Sequence, residues 1–118
     1  NVIWLGDMNV AMDSRDVHDA KKLWPCVCYC QEVIDAMQGV IDFGFTDTFR
    51  MHCDLDKQYT FWDYRVPNGF KRNIGWRLDY ILATNPLAKK CVSCTIDKTP
   101  RSLPKPSDHT FLIAEFDI

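Results

Sequence analysis

The sequence has no apolar run that approaches the roughly 20 residues needed to span a bilayer. It also lacks a secretory signal, internal repeats and low-complexity tracts, and its net charge is only -2. An apolar fraction of 47% and a charged fraction of 25% exclude a disordered tail, a collagen-like rod and a coiled coil. The 118 residues therefore predict one folding unit, or a piece of one, without a membrane partner.

The six cysteines do not form a zinc pattern. Cys91 and Cys94 make a Cys-x-x-Cys pair, but neither a second such pair nor a nearby pair of histidines completes four ligands. Cys26, Cys28 and Cys30 alternate along the chain, in a stretch that the sequence leaves without an explanation. We interpret the cysteines as free, inert thiols, and a structural zinc site is the alternative. Free thiols indicate an intracellular protein, in the cytoplasm or nucleus.

The small net charge hides a segregation along the chain. Residues 65–107 carry 9 Lys and Arg against 2 Asp and Glu, whereas residues 1–64 carry 5 against 11. The basic segment 65–107 could contact a polyanion, and the acidic residues elsewhere could hold cations. A solvated surface with scattered charges is the alternative interpretation.

The apolar pattern predicts one helix and about five strands. Spacings of three and four between apolar residues indicate an amphipathic helix from Gln31 to about Ile41. The predicted strands are Val2–Leu5, Tyr59–Arg65, Arg77–Ala83, Cys91–Ile96 and Thr110–Phe116. This order of elements indicates an α/β or α+β sheet unit.

Three polar clusters interrupt or flank these apolar strands. Asp7 and Asn9 follow the first strand, Asp79 lies within the strand that starts at Arg77, and His109 ends the triplet Ser-Asp-His before the last strand. Taken singly, each has an ordinary explanation: a turn for the first, pairing with Arg77 or a backbone donor for the second, and a surface turn for the third.

Taken together, the clusters are far more specific. The ordered segments are Gly6-Asp7-Met8-Asn9, Tyr59-Thr60-Phe61-Trp62-Asp63-Tyr64-Arg65, Gly75-Trp76-Arg77-Leu78-Asp79-Tyr80-Ile81-Leu82 and Ser107-Asp108-His109. This series resembles the C-terminal half of the exonuclease III and apurinic/apyrimidinic (AP) endonuclease family, within the endonuclease/exonuclease/phosphatase superfamily. The resemblance implies that residues 1–118 form half of a four-layer α/β sandwich, with a mixed, largely antiparallel sheet flanked by a helix.

The resemblance also implies roles for catalytic residues. Asp7 would activate or hold the attacking water, and Asn9 would support that water and the phosphate. Asp79 would pair with His109, whose ring would contact the scissile phosphate. Asp108, together with Asp7, would belong to a site for Mg²⁺, with Mn²⁺ as a substitute, because a hard cation prefers carboxylate oxygens to thiols.

The remaining implied residues would bind DNA. Phe61 and Trp76 would wall a pocket for a base-free sugar, and Arg65 would reach into the DNA groove. Arg77 would contact DNA as part of the basic segment. The implied partners are double-stranded DNA with abasic sites or 3′ ends, and the missing N-terminal half of the same domain.

The implied activity is that of a magnesium-dependent DNA repair nuclease, which hydrolyses phosphodiesters at abasic sites and trims 3′ ends. Because the chain starts on a strand at Asn1 without an initiator Met, we expect a longer protein whose N-terminal half supplies further catalytic groups. The 118 residues alone would then be inactive or very weak. The alternative is a non-catalytic DNA-binding or assembly fragment; a superfamily relative that acts on RNA or a phosphorylated small molecule fits the motifs less well.

Overall fold

The computed structural model describes all residues from Asn1 to Ile118. The strands are β1 (Ile3–Asp7), β2 (Phe45–Asp47), β3 (Asp79–Thr84), β4 (Cys91–Asp97) and β5 (Phe111–Phe116). The helices are α1 (Ala20–Leu23), α2 (Gln31–Gly44), α3 (Thr48–His52) and α4 (Asn85–Ala88), with 3-10 turns at Ser14–Asp16 and Pro100–Ser102. None of the helices is long and apolar enough to cross a membrane.

Strand β3 is the centre of a three-stranded antiparallel sheet in the order β1-β3-β2. Strands β4 and β5 form a separate antiparallel pair. In the β1–β3 register, Asp7 is the direct partner of Asp79. Opposed residues of an antiparallel pair project from the same face of the sheet. The register therefore brings two of the predicted site residues together, although they are 72 positions apart in the chain.

Helix α2 covers one face of this sheet. It begins at Gln31, as the apolar spacing predicts, and continues three residues beyond Ile41 to Gly44, where a φ of 133° suits glycine. Met37 is buried against Tyr80 and Leu82 of β3 and against Val10. This apolar contact fixes β3 and the segment after β1 relative to one helix.

Two predicted strands differ from the structure. Within the stretch predicted as a strand from Tyr59 to Arg65, only Phe61 makes bridges, and the other predicted strand begins at Asp79 rather than Arg77. The β-branched and aromatic residues that suggested the first strand are buried instead in a folded loop: Tyr59, Thr60 and Trp62 are all at most 2% exposed. Burial, rather than strand pairing, accounts for that composition.

Gly75 allows this loop to close. A Cβ atom at position 75 would lie 2.7 Å from Trp62 Nε1, 2.7 Å from Tyr59 Cδ2 and 2.8 Å from the carbonyl oxygen of Phe61. Separations of that size are not tolerated, so only glycine permits the chain before Trp76 to pack against the aromatic loop.

An apolar face of the sheets is exposed to solvent. Ile3 and Leu5 of β1 are 43% and 63% exposed, and Phe111 and Ile113 of β5 are 63% and 44% exposed. Leu5, Phe111 and Ile113 border a groove of about 390 Å³ between the two sheets. Contiguous exposed apolar surface of this kind is typical of a face that packs against another protein element.

The buried tyrosines predict that the protein loses stability in alkali. Burial, together with the charges of Asp56 and Asp16, raises the pKa of Tyr59 to about 12, and burial also raises the pKa of Tyr80, whose hydroxyl donates to the Val10 carbonyl oxygen at 2.6 Å. In the unfolded chain, tyrosine ionises near pH 10. The contribution of the buried, neutral tyrosines to the free energy of unfolding is therefore complete below that pH and is lost as the pH rises towards 12. Urea unfolding between pH 8 and 11.5 measures the fall, and Tyr59→Phe should make it less steep. An equally steep fall in that variant would contradict the assignment.

Candidate active site

His109 joins two carboxylates at the end of the three-stranded sheet. Its Nδ1 lies 2.8 Å from Asp79 Oδ2, and its Nε2 lies 3.7 Å from Asp7 Oδ2. The short contact requires the ring to donate Nδ1–H to Asp79, because a carboxylate oxygen can only accept. Asp79 therefore fixes the tautomer and the orientation of the imidazole, and Nε2 is directed towards Asp7.

Asp7, the last residue of β1, and Asn9 form a tight turn at the end of this strand. Asp7 Oδ1 accepts the Asn9 backbone N–H at 2.8 Å, and Asn9 has a φ of 53°, a conformation that asparagine tolerates better than most residues. The turn holds the Asp7 carboxylate at the sheet edge, where its side chain remains 36% exposed. A carboxylate held in this way can still accept a hydrogen bond from water or bind a cation.

The Phe61 backbone connects three distant segments of the site. It bridges Trp76 on one side and His109 on the other. Phe61 N–H donates to the Trp76 carbonyl oxygen at 3.0 Å, and Trp76 N–H donates back at 2.9 Å. On the other side, the Phe61 ring lies 5.0 Å from the imidazole of His109. A single residue therefore sets the distance between the aromatic segment and the histidine.

A cavity of about 350 Å³ opens beside His109 and contains most of the predicted DNA-binding residues. Phe61, Trp76 and Leu78 contribute aromatic and aliphatic surface, and Asn9 and His109 lie on its polar side. The structure thus brings Asn9, His109, Phe61 and Trp76, which the sequence places far apart, around one cavity. Its other apolar lining comes from residues 23–28, which the sequence prediction did not include.

Arg65 also lines this cavity, but it is paired. Its side chain is 89% exposed and donates to both carboxylate oxygens of Asp63, from Nε at 3.0 and 3.1 Å and from Nη2 at 2.8 Å. The hydrogen bonds from Arg65 lower the pKa of Asp63, so the pair stays ionised in neutral solution. Arg65 remains accessible to a polyanion, with part of its charge balanced by Asp63.

The expectation that Arg77 contacts DNA is wrong. Its side chain is 1% exposed, with Nε 2.7 Å from Asp16 Oδ1 and Nη1 2.9 Å from Asp47 Oδ2. Asp16, itself fully buried, also receives Arg50 Nη2 at 2.5 Å. Burial alone would lower the pKa of Arg77, but the surrounding acidic groups Tyr80, Asp47 and Asp16 raise it. Arg77 is a buried cation that links three segments and cannot reach a ligand.

The Asp108 carboxylate, unlike those of Asp7 and Asp79, is not held by a hydrogen bond. The backbone carbonyl of Asp108 accepts Trp62 N–H at 2.9 Å, while its side chain, partly exposed, makes no hydrogen bond or ion pair. The chain contains no cluster of three or more His, Cys, Asp or Glu side chains that could hold a metal ion. Mg²⁺ keeps several waters and needs only one or two protein carboxylates, and the accessible carboxylates of Asp7 and Asp108 are each of the ligand type that it takes. The thiols do not form the four-ligand site that zinc would need.

Thr60 is a site residue that the sequence did not single out. It is fully buried, and its hydroxyl oxygen accepts Leu78 N–H at 3.1 Å and Asp79 N–H at 3.2 Å. Its own backbone carbonyl accepts Thr110 N–H at 2.8 Å. Thr60 therefore holds the start of β3 and the residue after His109 in place. The only sequence feature that could have pointed to Thr60 is its position between the aromatic motif residues Tyr59 and Phe61.

Known proteins resemble this chain over almost its whole length. The model of the Endonuclease/Exonuclease/phosphatase family matches residues 1–109. An AP endonuclease from Archaeoglobus fulgidus superimposes with a TM-score of 0.94 at 46% identity, over 98% of this chain and 45% of that one. The 3′ phosphatase NExo from Neisseria, solved with a product DNA hairpin, superimposes with a TM-score of 0.95 at 32% identity and the same coverage.

A curated relative is likewise similar over almost the whole length of this chain. Exodeoxyribonuclease III of Haemophilus influenzae is 32% identical over 122 aligned residues, which cover 98% of this chain and 45% of the relative. The chain thus spans less than half the length of these relatives. Together with the antiparallel sheets and flanking helices, the superpositions confirm the predicted fold class, half of the family's α/β sandwich. The chain belongs to the Endonuclease/Exonuclease/phosphatase family, and within it the similarity is to the exodeoxyribonuclease III and AP endonuclease members, as the sequence motifs predicted.

Proposed function

We propose that residues 1–118 are the C-terminal half of a magnesium-dependent DNA repair nuclease. It hydrolyses the phosphodiester beside an abasic site and trims 3′ ends as a second activity. The observation that carries this proposal is the position of the Asp79–His109–Asp7 cluster at the rim of a cavity lined by Phe61 and Trp76. Chemistry for phosphate hydrolysis and a pocket for a base-free sugar are thereby adjacent.

The cluster supplies what phosphodiester hydrolysis requires of the protein. A phosphodiester is an anion, so attack on it needs a positioned water and positive groups at the phosphate oxygens. Asp79 holds the Nδ1–H of His109, which leaves Nε2 free to donate to a phosphate oxygen when the ring is protonated. Asp7, exposed at the sheet edge, positions the attacking water, and Asn9 supports it.

Mg²⁺, with Mn²⁺ as its substitute, would be held by Asp7 and Asp108 together with a ligand from the missing half. When bound, the ion neutralises charge on the non-bridging phosphate oxygens. The incomplete ligand set of this chain is the reason that we expect the 118 residues alone to have little or no activity.

The proposed partners are the N-terminal half of the domain and double-stranded DNA. The exposed apolar face of β1 and β5 is the surface on which the missing half would pack. Lys71, Arg72 and Lys105 of the basic segment are exposed and would contact DNA phosphates without reading sequence. A DNA substrate places the working protein inside the cell, in the cytoplasm or nucleus.

The alternative is a non-catalytic DNA-binding or assembly fragment. The absence of a complete cation cluster within the chain favours it, because the aromatic cavity and the exposed basic residues do not depend on a metal. The two functions differ in whether the chain, once joined to a partner half, turns over an abasic duplex.

The test uses a completed protein, in which the 118 residues are fused to the part of the A. fulgidus AP endonuclease that they leave uncovered. A labelled duplex with one tetrahydrofuran abasic analogue is incubated with Mg²⁺ or with EDTA, beside an intact duplex and a duplex with a recessed 3′ end. Magnesium-dependent cleavage at the analogue supports the nuclease. Binding without cleavage, while the unmodified archaeal enzyme cleaves, supports the fragment and contradicts the nuclease.

Asp7→Asn should lower kcat of the completed protein about 100-fold, a typical effect for a group that positions or activates the nucleophile. The amide oxygen can still accept the Asn9 N–H, so the turn should survive while the negative charge is lost. Single-turnover cleavage of the abasic duplex measures the change. Asp54→Asn, at an exposed loop position away from the cluster, is the matched control and should cleave normally. Equal rates for the two variants would remove Asp7 from the mechanism.

A further inference from the structure

The alternating cysteines, which the sequence left unexplained, lie at the cavity. Of its seven apolar lining residues, Phe61, Trp76 and Leu78 come from the recognised motifs. The other four come from a single stretch, residues 23–28, and comprise Leu23, Cys26, Val27 and Cys28. Most of the apolar residues that line the cavity thus come from a segment outside the motifs.

Residues Cys26–Tyr29 form a tight turn, here called the thiol hairpin, and the hairpin is firmly anchored. Cys26 and Tyr29 exchange two backbone hydrogen bonds of 2.9 and 3.0 Å, and the Cys28 carbonyl oxygen accepts Ala11 N–H at 2.8 Å. The Tyr29 side chain is 7% exposed and packs against Ala11. The anchors leave Val27 at the tip, 86% exposed beside the cavity. An anchored backbone at Val27 favours binding, because little conformational entropy is lost when a ligand covers the side chain.

The chemistry of the hairpin side chains favours one class of occupant. The side chains of Cys26, Val27 and Cys28 carry no amide, hydroxyl or charge that could pair with the edge of a base, and a thiol is only a weak donor. Burial raises the pKa of the Cys28 thiol, so it stays neutral and does not repel a sugar-phosphate. Among the polar lining residues, Asp63 and Arg65 are already paired with each other. The hairpin side of the cavity therefore offers apolar surface to the ring carbons of a base-free sugar and suits it better than the polar edge of a base.

We propose that the thiol hairpin is the specificity wall of this cavity, and that Val27 packs on the base-free deoxyribose of an abasic site. This inference rests on the proposed function, since it names residues that select the substrate of that same site. The aromatic motif residues form one part of the wall and the hairpin forms the rest. Discrimination between abasic and intact DNA should then depend on Val27.

The experiment compares Val27→Ala with Val92→Ala in the completed protein. Val92 is also an exposed valine, 58% accessible, but it lies on β4 and does not line the cavity. Dissociation constants are measured by fluorescence anisotropy for the tetrahydrofuran duplex and for the intact duplex. Val27→Ala removes two carbon groups from the contact and should weaken binding of the abasic duplex about tenfold, with the intact duplex unaffected. Val92→Ala should change neither constant.

A second measurement does not depend on a substitution. Maleimide labelling of the parent protein, followed by peptide mass spectrometry, should show slower modification of Cys26 and Cys28 with the abasic duplex than with the intact one. Cys53 is partly exposed and outside the cavity, so its labelling rate should not depend on the duplex. An unchanged affinity ratio in Val27→Ala, or equal labelling of Cys26 and Cys28 with both duplexes, overturns the inference. If the parent itself does not distinguish the duplexes, the proposed function fails and the inference fails with it.

Discussion

His109→Ala in the completed protein is expected to lower kcat for cleavage of an abasic duplex about a thousandfold, within the range for loss of a positioned acid, base or phosphate donor. The substitution removes the only side chain that contacts both Asp79 and Asp7. The duplex should still bind, since the aromatic and basic surfaces remain. Single-turnover cleavage and anisotropy binding measure the two effects separately.

The matched control for this prediction is His52→Ala. His52 is exposed at the end of α3 and does not line the cavity beside His109. Its substitution should leave cleavage unchanged. If His109→Ala retains near-normal turnover while circular dichroism shows a folded protein, His109 does not take part in the reaction.

Arg77→Met is expected to reduce the free energy of unfolding by about 3–5 kcal/mol, because loss of one partner leaves buried charge without compensation. Asp16 is fully buried and Asp47 nearly so. Without the Arg77 guanidinium, Asp47 has no ion-pair partner and Asp16 keeps only Arg50. Since a domain is stable by only about 5–15 kcal/mol, the variant should unfold at a much lower urea concentration. Urea unfolding of the completed protein, followed by circular dichroism, measures the loss.

Arg65→Met provides the comparison. It also removes an arginine that is paired with an aspartate, but this pair is exposed to solvent, where ion pairs contribute little. Its unfolding midpoint should match that of the parent. Similar midpoints for the two arginine variants would mean that the Asp16–Arg77–Asp47 contacts do not stabilise the fold.

The helix could be predicted because it depends on the local spacing of apolar residues. The clustering of the motifs could be predicted because it depends on their order along the chain. The apolar spacing set the start of α2 at Gln31, and the helix runs three residues past Ile41 to Gly44, whose φ of 133° suits glycine. The pairing of Asp79 with His109 follows from a resemblance of ordered motifs. No pattern within this one sequence would have joined residues 30 positions apart.

The errors share a physical cause, which is that side-chain burial is set by tertiary contacts. Arg77 looked like part of a basic surface, yet two distant carboxylates, Asp16 and Asp47, draw it into the interior. The aromatic stretch that starts at Tyr59 looked like a strand, yet its residues fill a folded loop that Gly75 allows to close. The alternation of the cysteines at 26 and 28 did not indicate where they lie, because their position beside the cavity depends on a hairpin anchored to Ala11.

The alignment of Asp7 opposite Asp79 has a consequence for how this site can be lost or altered. A shift of β1 against β3 by a single position would turn one of the two carboxylates to the opposite side of the sheet, where the apolar residues of α2 pack. An insertion or deletion of one residue within either strand would therefore disrupt the proposed site while every chemical group remained present. Natural variation at this end of the sheet should accordingly consist of exchanges of side chains, with length changes confined to the connecting loops.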